Sequence, residues 1–237
     1  MKKQIKVSVI TPCLNSKRTI KDTIESVLNQ TYKNIEYIVV DGESTDGTLD
    51  IIKEYLPQFH GRMKYISEKD NGIYDAMNKG IKMSTGAVIG IINSDDFYEF
   101  DAVENIVQYI TGEKYQVIYG YCKILNGQHT VGMLKNRHEN LVQGMIPHPT
   151  CFVTRCVYRD FGMFLTVFKI ADDYELMIRL YKSNKVKFTQ VKQVIANFRT
   201  GGLCSDLKWA EREKAMITYY YHMISLKKMV KDLLQNV

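Results

Sequence analysis

The sequence predicts an α/β fold: a mostly parallel, doubly wound sheet flanked by helices, followed by a helical C-terminal extension. Three observations carry that expectation. Short β-branched runs alternate with segments of helical periodicity through the first half of the chain. The fourth run, residues 87–92, is apolar on both faces, as a strand in the middle of a parallel sheet must be. The runs end in small polar residues, Thr11-Pro12, Asp41-Gly42 and Asn93-Ser94-Asp95-Asp96. A doubly wound sheet binds ligands at the carboxyl ends of its strands.

Taken in order, residues 6–10 read as a buried strand stopped at Thr11-Pro12. Residues 19–30 carry Ile20, Ile24, Val27 and Leu28 at helical spacing. Residues 35–40 form a second strand, and Leu49, Ile52 and Leu56 mark a second helix with Pro57 beyond its end. Residues 64–66 are a third strand, residues 73–83 a third helix, and residues 87–92 the fourth strand. Strand–helix alternation of this kind implies right-handed crossovers. The second half is less regular. A hairpin is expected around Asn126-Gly127, between residues 116–125 and 130–134. Residues 150–153 and 189–198 read as strands, residues 174–182 as a helix, and the chain from Asp206 onward as helical.

The bulk numbers bound the function. At 237 residues, 45% hydrophobic and 24% charged, the chain suits one large folded domain with a small appendage. No apolar run is long enough to cross a bilayer, and the N-terminus lacks the apolar stretch and cleavage site of a secretory signal. The five cysteines are scattered, an odd number with no CxxC pair, which suits reduced thiols and a cytoplasmic setting rather than a zinc site. The net charge of +6 points to an anionic partner without naming it. Nucleic acid has no motif behind it and is not expected.

Several constellations suit chemistry. In Asn93-Ser94-Asp95-Asp96, side-chain alternation puts 93 and 95 on one face and 96 on the other. A polar side chain at 93 suits a ribose hydroxyl, and a carboxylate at 95 suits Mg²⁺ or Mn²⁺ shared with substrate phosphates. The same residues also suit a helix cap. Asp41 heads an Asp, Gly and Ser-rich turn, placed either for a nucleoside or simply to cap the next helix. Asp172 and Asp173 begin a helix, where they suit either a cap or a general base for a hydroxyl. His148 stands between two prolines that stiffen it, and no histidine has metal-ligand spacing. Neither GxGxxG nor GxxxxGK[ST] occurs, which removes the main support for dinucleotide-binding and P-loop readings.

Four segments in series, Val-Ser-Val-Ile-Thr-Pro-Cys-Leu-Asn (7–15), Ile-Val-Val-Asp-Gly-Glu-Ser-Thr-Asp-Gly-Thr (38–48), Glu-Lys-Asp-Asn-Gly-Ile-Tyr-Asp-Ala-Met-Asn-Lys-Gly (68–80) and Asn-Ser-Asp-Asp (93–96), resemble the family 2 glycosyltransferases. The likeness runs from about Val7 to about Ser205. It implies the GT-A fold, a Rossmann-like, mostly parallel sheet flanked by helices. It implies a transferase domain over residues 1–205, with a nucleotide-sugar-binding half (1–111) and an acceptor half (112–205), and a helical extension over 206–237. Among site residues, it implies that Thr11, Pro12, Asn15 and Asp41 serve the nucleoside, and that Asp70, Asn78 and Lys79 lie near the nucleotide. Asn93 and Ser94 join that set, with Asn93 in the first position of the family's DxD motif. Asp95, and more weakly Asp96, would hold Mn²⁺ or Mg²⁺. Asp173 matches the family's catalytic base. His148, Asp172 and Gly202, with the segment through Leu203, Cys204 and Ser205, match phosphate-facing, acceptor-facing and lid-like elements. Asn93 departs from the Asp that many relatives carry, so metal affinity without nucleotide should be weak.

The expected activity is therefore inverting transfer of a sugar from a nucleotide-diphosphate donor, with UDP preferred by the resemblance, to a glycan or lipid-linked glycan acceptor in bacterial surface polysaccharide or glycolipid assembly. A nucleotidyltransferase and a non-catalytic sugar-nucleotide-binding module are the alternatives. In the C-terminal segment, Ile217, Tyr220, Tyr221 and Ile224 fall at helical spacing and Lys227, Lys228 and Lys231 follow. That pattern suits either a basic amphipathic helix on the inner face of the plasma membrane or a helix packed on the domain or on a second subunit of a homodimer.

Overall fold

The computed structural model describes residues 5–202 and 207–235. Among them, the strands form one sheet in the order β3-β2-β1-β4-β8-β6-β9-β5, with β7 paired to β6. The first part is the expected parallel unit: β1 (Val7–Cys13), β2 (Ile35–Asp41), β3 (Met63–Ser67) and β4 (Val88–Ile91). Helices α1 (Ile20–Leu28), α2 (Thr48–Tyr55) and α3 (Ile73–Met83) connect them. Alternation along β1 sorts the core. Val7 and Val9 pack on one face with Ile20, Ile24 and Val27 of α1, while Ile10 packs on the other with Met77 and Ile81 of α3.

The rest of the sheet departs from a purely parallel arrangement. β5 (Phe97–Tyr98) is too short to show a period and pairs with β9 (Lys187–Arg199), far away in sequence. The short helices α4 (Ala102–Val107) and α5 (Arg155–Phe161) were not anticipated, although Gly162, at φ 87°, ends α5 as a C-terminal glycine should. The hairpin forms as β6 (Gln116–Asn126) and β7 (His129–Leu134). β8 (Phe152–Thr154) runs antiparallel to both β4 and β6, whereas β9 runs parallel to β6. Gly90 on β4 lies against the Phe152 ring, where a Cβ would clash. Helix α6 (Asp172–Lys182) buries Leu176, Met177 and Leu180 on the same face as α3.

The C-terminal segment is not one helix. It breaks into α7 (Leu207–Tyr220) and α8 (Leu226–Gln235), with His222 in a left-handed conformation at φ 56° between them. The C-terminal end of α7 is anchored to the body of the protein. Ile217 is buried in the core beside α6, and the Tyr221 hydroxyl just beyond the helix donates to Glu175. The continuous stripe expected from Ile217 to Ile224 is thereby divided, and Tyr220 points to solvent. No helix among the described residues is long and apolar enough to cross a membrane.

One buried carboxylate ties the parallel unit together. Glu36 on β2 is 7% exposed and sits beside Ser8 of β1 in register. It accepts the Ser8 hydroxyl at 2.5 Å, the Thr85 amide at 2.5 Å and the Gly86 amide at 3.0 Å, with Lys6 Nζ at 3.0 Å. Burial alone would raise its pKa. The hydrogen bonds from Ser8, Thr85 and Lys6 outweigh burial and hold it at about 2, below the usual 4.5. A carboxyl depressed in the folded state contributes stability that is present above its unfolded pKa and lost as pH falls through the folded value. Between pH 5 and pH 2 the native protein is therefore expected to lose about 3 kcal/mol through this group. Urea melts of the native chain and of Glu36→Gln at pH 7 and pH 3 check this. The gap between the two proteins should narrow at the lower pH, and an unchanged gap would remove the assignment.

Candidate active site

The carboxyl ends of β1 and β4 open onto a crevice of about 510 Å³, lined by Pro12, Asn15, Asp70, Ile73, Asn93, Ser94, Asp95, Lys169, Phe198 and Gly202, among others. This is where a doubly wound sheet places its ligand. Several hydrogen bonds fix the walls. Asn15, at φ 50°, donates its amide to Ser44 Oγ at 2.8 Å and accepts the Thr45 amide on Oδ1 at 2.9 Å. The loops after β1 and β2 are thereby joined. The Ser16 and Ser94 hydroxyls meet at 2.7 Å and join the loops after β1 and β4.

The residues expected to serve the nucleoside divide into two groups. Pro12, Asn15, Asp70, Asn93 and Ser94 face the crevice. Thr11 and Asp41 lie fully buried behind it. Thr11 accepts the Tyr37 hydroxyl at 3.0 Å. Asp41 takes hydroxyl bonds from Ser44 at 2.5 Å and Ser67 at 2.6 Å, and so fastens the turn after β2 to β3. The N-cap of α2 is Gly47, and Asp46 just before it accepts the Thr48 amide at 3.0 Å. Asn78 and Lys79 also stand one layer back. Asn78 is clamped to the backbone of Phe164 through both its amide atoms, at 2.9 and 3.1 Å. Lys79 donates to the Lys69 carbonyl at 2.7 Å, and its neighbour Asp70 rests against the Cα of Gly42. These residues support the crevice wall.

Asn93 and Asp95 occupy one side of the turn after β4, and Asp96 the other. Asn93 Oδ1 is buried and has no hydrogen-bond partner, an arrangement that is costly unless a ligand fills it. Asp95 is half-buried, and burial pushes its carboxyl above the usual range, with Arg199 pulling against that. The carboxylate abuts the Cα of Gly202, where a Cβ would collide with it. Asp96 is fully buried, does not line the crevice, and accepts the Arg199 amide at 2.9 Å on Oδ1. The chain turns here, with the Asp96 amide donating to the Asn93 carbonyl at 3.1 Å, and Asp96 lies away from the crevice that Asn93, Ser94 and Asp95 line. Arg199, absent from the expected set, pins this turn: its guanidinium donates to the Asp95 carbonyl at 2.9 Å, pairs with Asp22 at 2.5 Å and stacks on Phe97.

Asp173 stands beside the crevice, not in its wall. Its Oδ1 accepts the Tyr74 hydroxyl at 3.1 Å and the Tyr174 amide at 2.8 Å, and Ile73, next to Tyr74, is part of the wall. Asp172 is fully buried, pushed up to about 6 by burial, with Oδ2 lacking a partner. His148 packs edge-on against Phe164. Burial lowers its pKa against the pull of nearby Asp173, which favours the neutral imidazole. Leu203, Cys204 and Ser205 lie outside the described residues. Besides Arg199, the structure adds Lys169, Phe198 and Tyr74 to the residues in or beside the crevice. Tyr74 alone carried a signal, since it falls inside the third motif.

Among the described residues no three His, Cys, Asp or Glu side chains cluster as metal ligands. What the crevice does offer on the turn after β4, the half-buried Asp95 carboxylate and the unpartnered Asn93 side-chain oxygen, fits a hard cation that completes its coordination with substrate oxygens and water.

Comparison with known proteins agrees with this architecture. The model of glycosyl transferase family 2 matches residues 8–174. The chain is 27% identical over 203 residues to the PGL/p-HBAD biosynthesis glycosyltransferase of Mycobacterium tuberculosis, covering 84% of this chain and 79% of that protein. Its fold is similar to S. aureus TarS 1–349 in complex with UDP-GlcNAc, with a TM-score of 0.73 at 20% identity, covering 98% of this chain and 71% of that one. The chain spans 43% of the longer TarS structure. The mannosyltransferase PcManGT from Pyrobaculum calidifontis, in complex with GDP-Man and Mn²⁺, superposes with a TM-score of 0.71 at 17% identity, covering 99% of this chain and 69% of that one. With the GT-A fold in place and the family model matched over most of its length, the chain belongs to glycosyl transferase family 2 and is a transferase enzyme.

Proposed function

We propose that the enzyme is an inverting glycosyltransferase. It takes a sugar from a nucleotide-diphosphate donor, UDP-linked by preference, and passes it to a hydroxyl of a glycan or lipid-linked glycan. The observation that carries this reading is the meeting, in one crevice, of the Asp95 carboxylate, the unpartnered Asn93 oxygen and Asp70. Proteins of the same fold bind UDP-GlcNAc and GDP-Man with Mn²⁺, which supports the donor class. In this reading residues 1–111 hold the donor, residues 112–205 shape the acceptor side, and residues 206–237 extend from them.

The chemistry follows from the residues present. Pro12, Asn15 and Asp70 receive the nucleoside, and Asn93 offers its free oxygen to the ribose or the cation. Asp95, with the donor diphosphate, would hold Mn²⁺ or Mg²⁺, which supplies charge neutralisation for the leaving group. Asp173 takes the proton of the acceptor hydroxyl. The acceptor oxygen then bonds to the anomeric carbon from the side opposite the diphosphate, the bond to the diphosphate breaks, and configuration inverts. Tyr74 holds the carboxylate of Asp173 in place, and neutral His148 adds no competing positive charge.

Incubation with a panel of UDP-, GDP- and dTDP-sugars and Mn²⁺, assayed for nucleoside diphosphate, tests the reading. Release from one donor class is expected. Pyrophosphate release from nucleoside triphosphates instead would favour a nucleotidyltransferase. Binding without release would favour a non-catalytic module.

A further inference from the structure

Helix α7 reaches the site through one side chain. Glu213 is 4% exposed, and its carboxylate accepts four hydrogen bonds. Three come from consecutive backbone amides, Lys169 at 2.8 Å, Ile170 at 2.9 Å and Ala171 at 2.9 Å. The fourth comes from Trp209 Nε1 at 2.7 Å. A buried carboxylate is costly unless its oxygens are satisfied, and four donors do so here.

The three amides belong to the segment that leads into α6. Lys169 lines the crevice. The Ile170 carbonyl accepts the Tyr74 hydroxyl, and the same hydroxyl reaches Asp173 Oδ1. Ala171 is the N-cap of α6, and Asp173 lies in the first turn. Each of the three amide bonds to Glu213 therefore fixes backbone adjoining a group in or beside the crevice. Helix α7 has attachments besides those bonds: Ile217 is buried in the core, Lys214 donates to the Gln143 carbonyl, and Tyr221 just beyond the helix donates to Glu175. The natural object of the clamp is thus the 169–171 segment rather than the helix that carries it.

We infer that Glu213 is a positioning residue for transfer: its carboxylate fixes residues 169–171 and through them sets Lys169, Tyr74 and Asp173 against the donor. The inference rests on the assignment of Asp173 as the base. Glu213→Gln in the full chain tests it, since Gln keeps the shape but turns an NH₂ toward backbone donors. Hydrogen exchange at amides 169–171 should quicken about tenfold or more, with α7 amides unchanged. With whichever nucleotide sugar the native enzyme turns over, kcat should fall about 10²-fold while KM stays within about twofold. If the Gln variant fails to fold, Glu213→Asp, which keeps the charge but is one methylene shorter, carries the same two readouts. Faster exchange with unchanged kcat would reduce Glu213 to a structural tie, and unchanged exchange would remove the clamp altogether. A native protein inert toward every donor would overturn the transferase reading, while the exchange data would still judge the clamp.

Discussion

Asp173→Asn is expected to lower turnover about 10³-fold while leaving nucleoside diphosphate affinity within about twofold. Asn has the same shape. Its oxygen still accepts the Tyr74 hydroxyl and the Tyr174 amide, so the start of α6 should keep its conformation. What Asn lacks is a basic site for the acceptor proton. No neighbour replaces it readily. Asp172 is fully buried and bonded to the Phe168 amide, and burial keeps the His148 ring low in pKa. Because Asp173 stands outside the crevice wall, the variant should bind donor normally. Steady-state nucleoside diphosphate release and calorimetric titration, run on the same preparation, read the two effects. Turnover within tenfold of native would leave Asp173 a structural residue of the first turn of α6 and nothing more.

Asp95→Ala is expected to weaken Mn²⁺-dependent binding of the nucleoside diphosphate about 10²-fold, which corresponds to losing one charged ligand contact of about 3 kcal/mol. The fold should tolerate the change. The turn after β4 is held through main-chain atoms, the Asp95 carbonyl by Arg199 and the Asp96 carbonyl by Thr23 at 2.7 Å, rather than through the Asp95 side chain. Removing the carboxylate also opens the space against Gly202. Binding measured without metal should change little. Equal loss with and without Mn²⁺ would mean that Asp95 contacts the nucleotide directly.

The parallel half of the fold was legible because its information is local. Helix α3 matches its expected span at both ends, since apolar spacing marked its face and a loop opened on either side of it. β5 was not legible. Two residues carry no period, and its partner on β9 lies about a hundred positions away along the chain. The parallel pairing of β6 with β9 is equally non-local, because nothing in either strand names the other. The break between α7 and α8 was hidden because no Gly or Pro marks it. It falls where Ile217 and Tyr221 are held by the core and the chain must turn.

The site shows the same division. Asn93 and Asp95 could be placed from their position at a strand end, and Asn15 through the family resemblance. Whether Thr11, Asp41 and Asp96 face the crevice or support it depended on partners elsewhere: Tyr37, Ser67 and Arg199. Glu213 offered no local signal, since a lone carboxylate on a helix acquires meaning only when the backbone it meets is known.

Calorimetric titration of the native protein with UDP, GDP, dTDP, CDP and ADP, each with and without Mn²⁺, tests whether this crevice holds a nucleotide-diphosphate donor with a divalent cation. One nucleoside diphosphate, UDP first among them, is expected to bind, with an affinity that rises when Mn²⁺ is present. Binding of none of the five under either condition would contradict it.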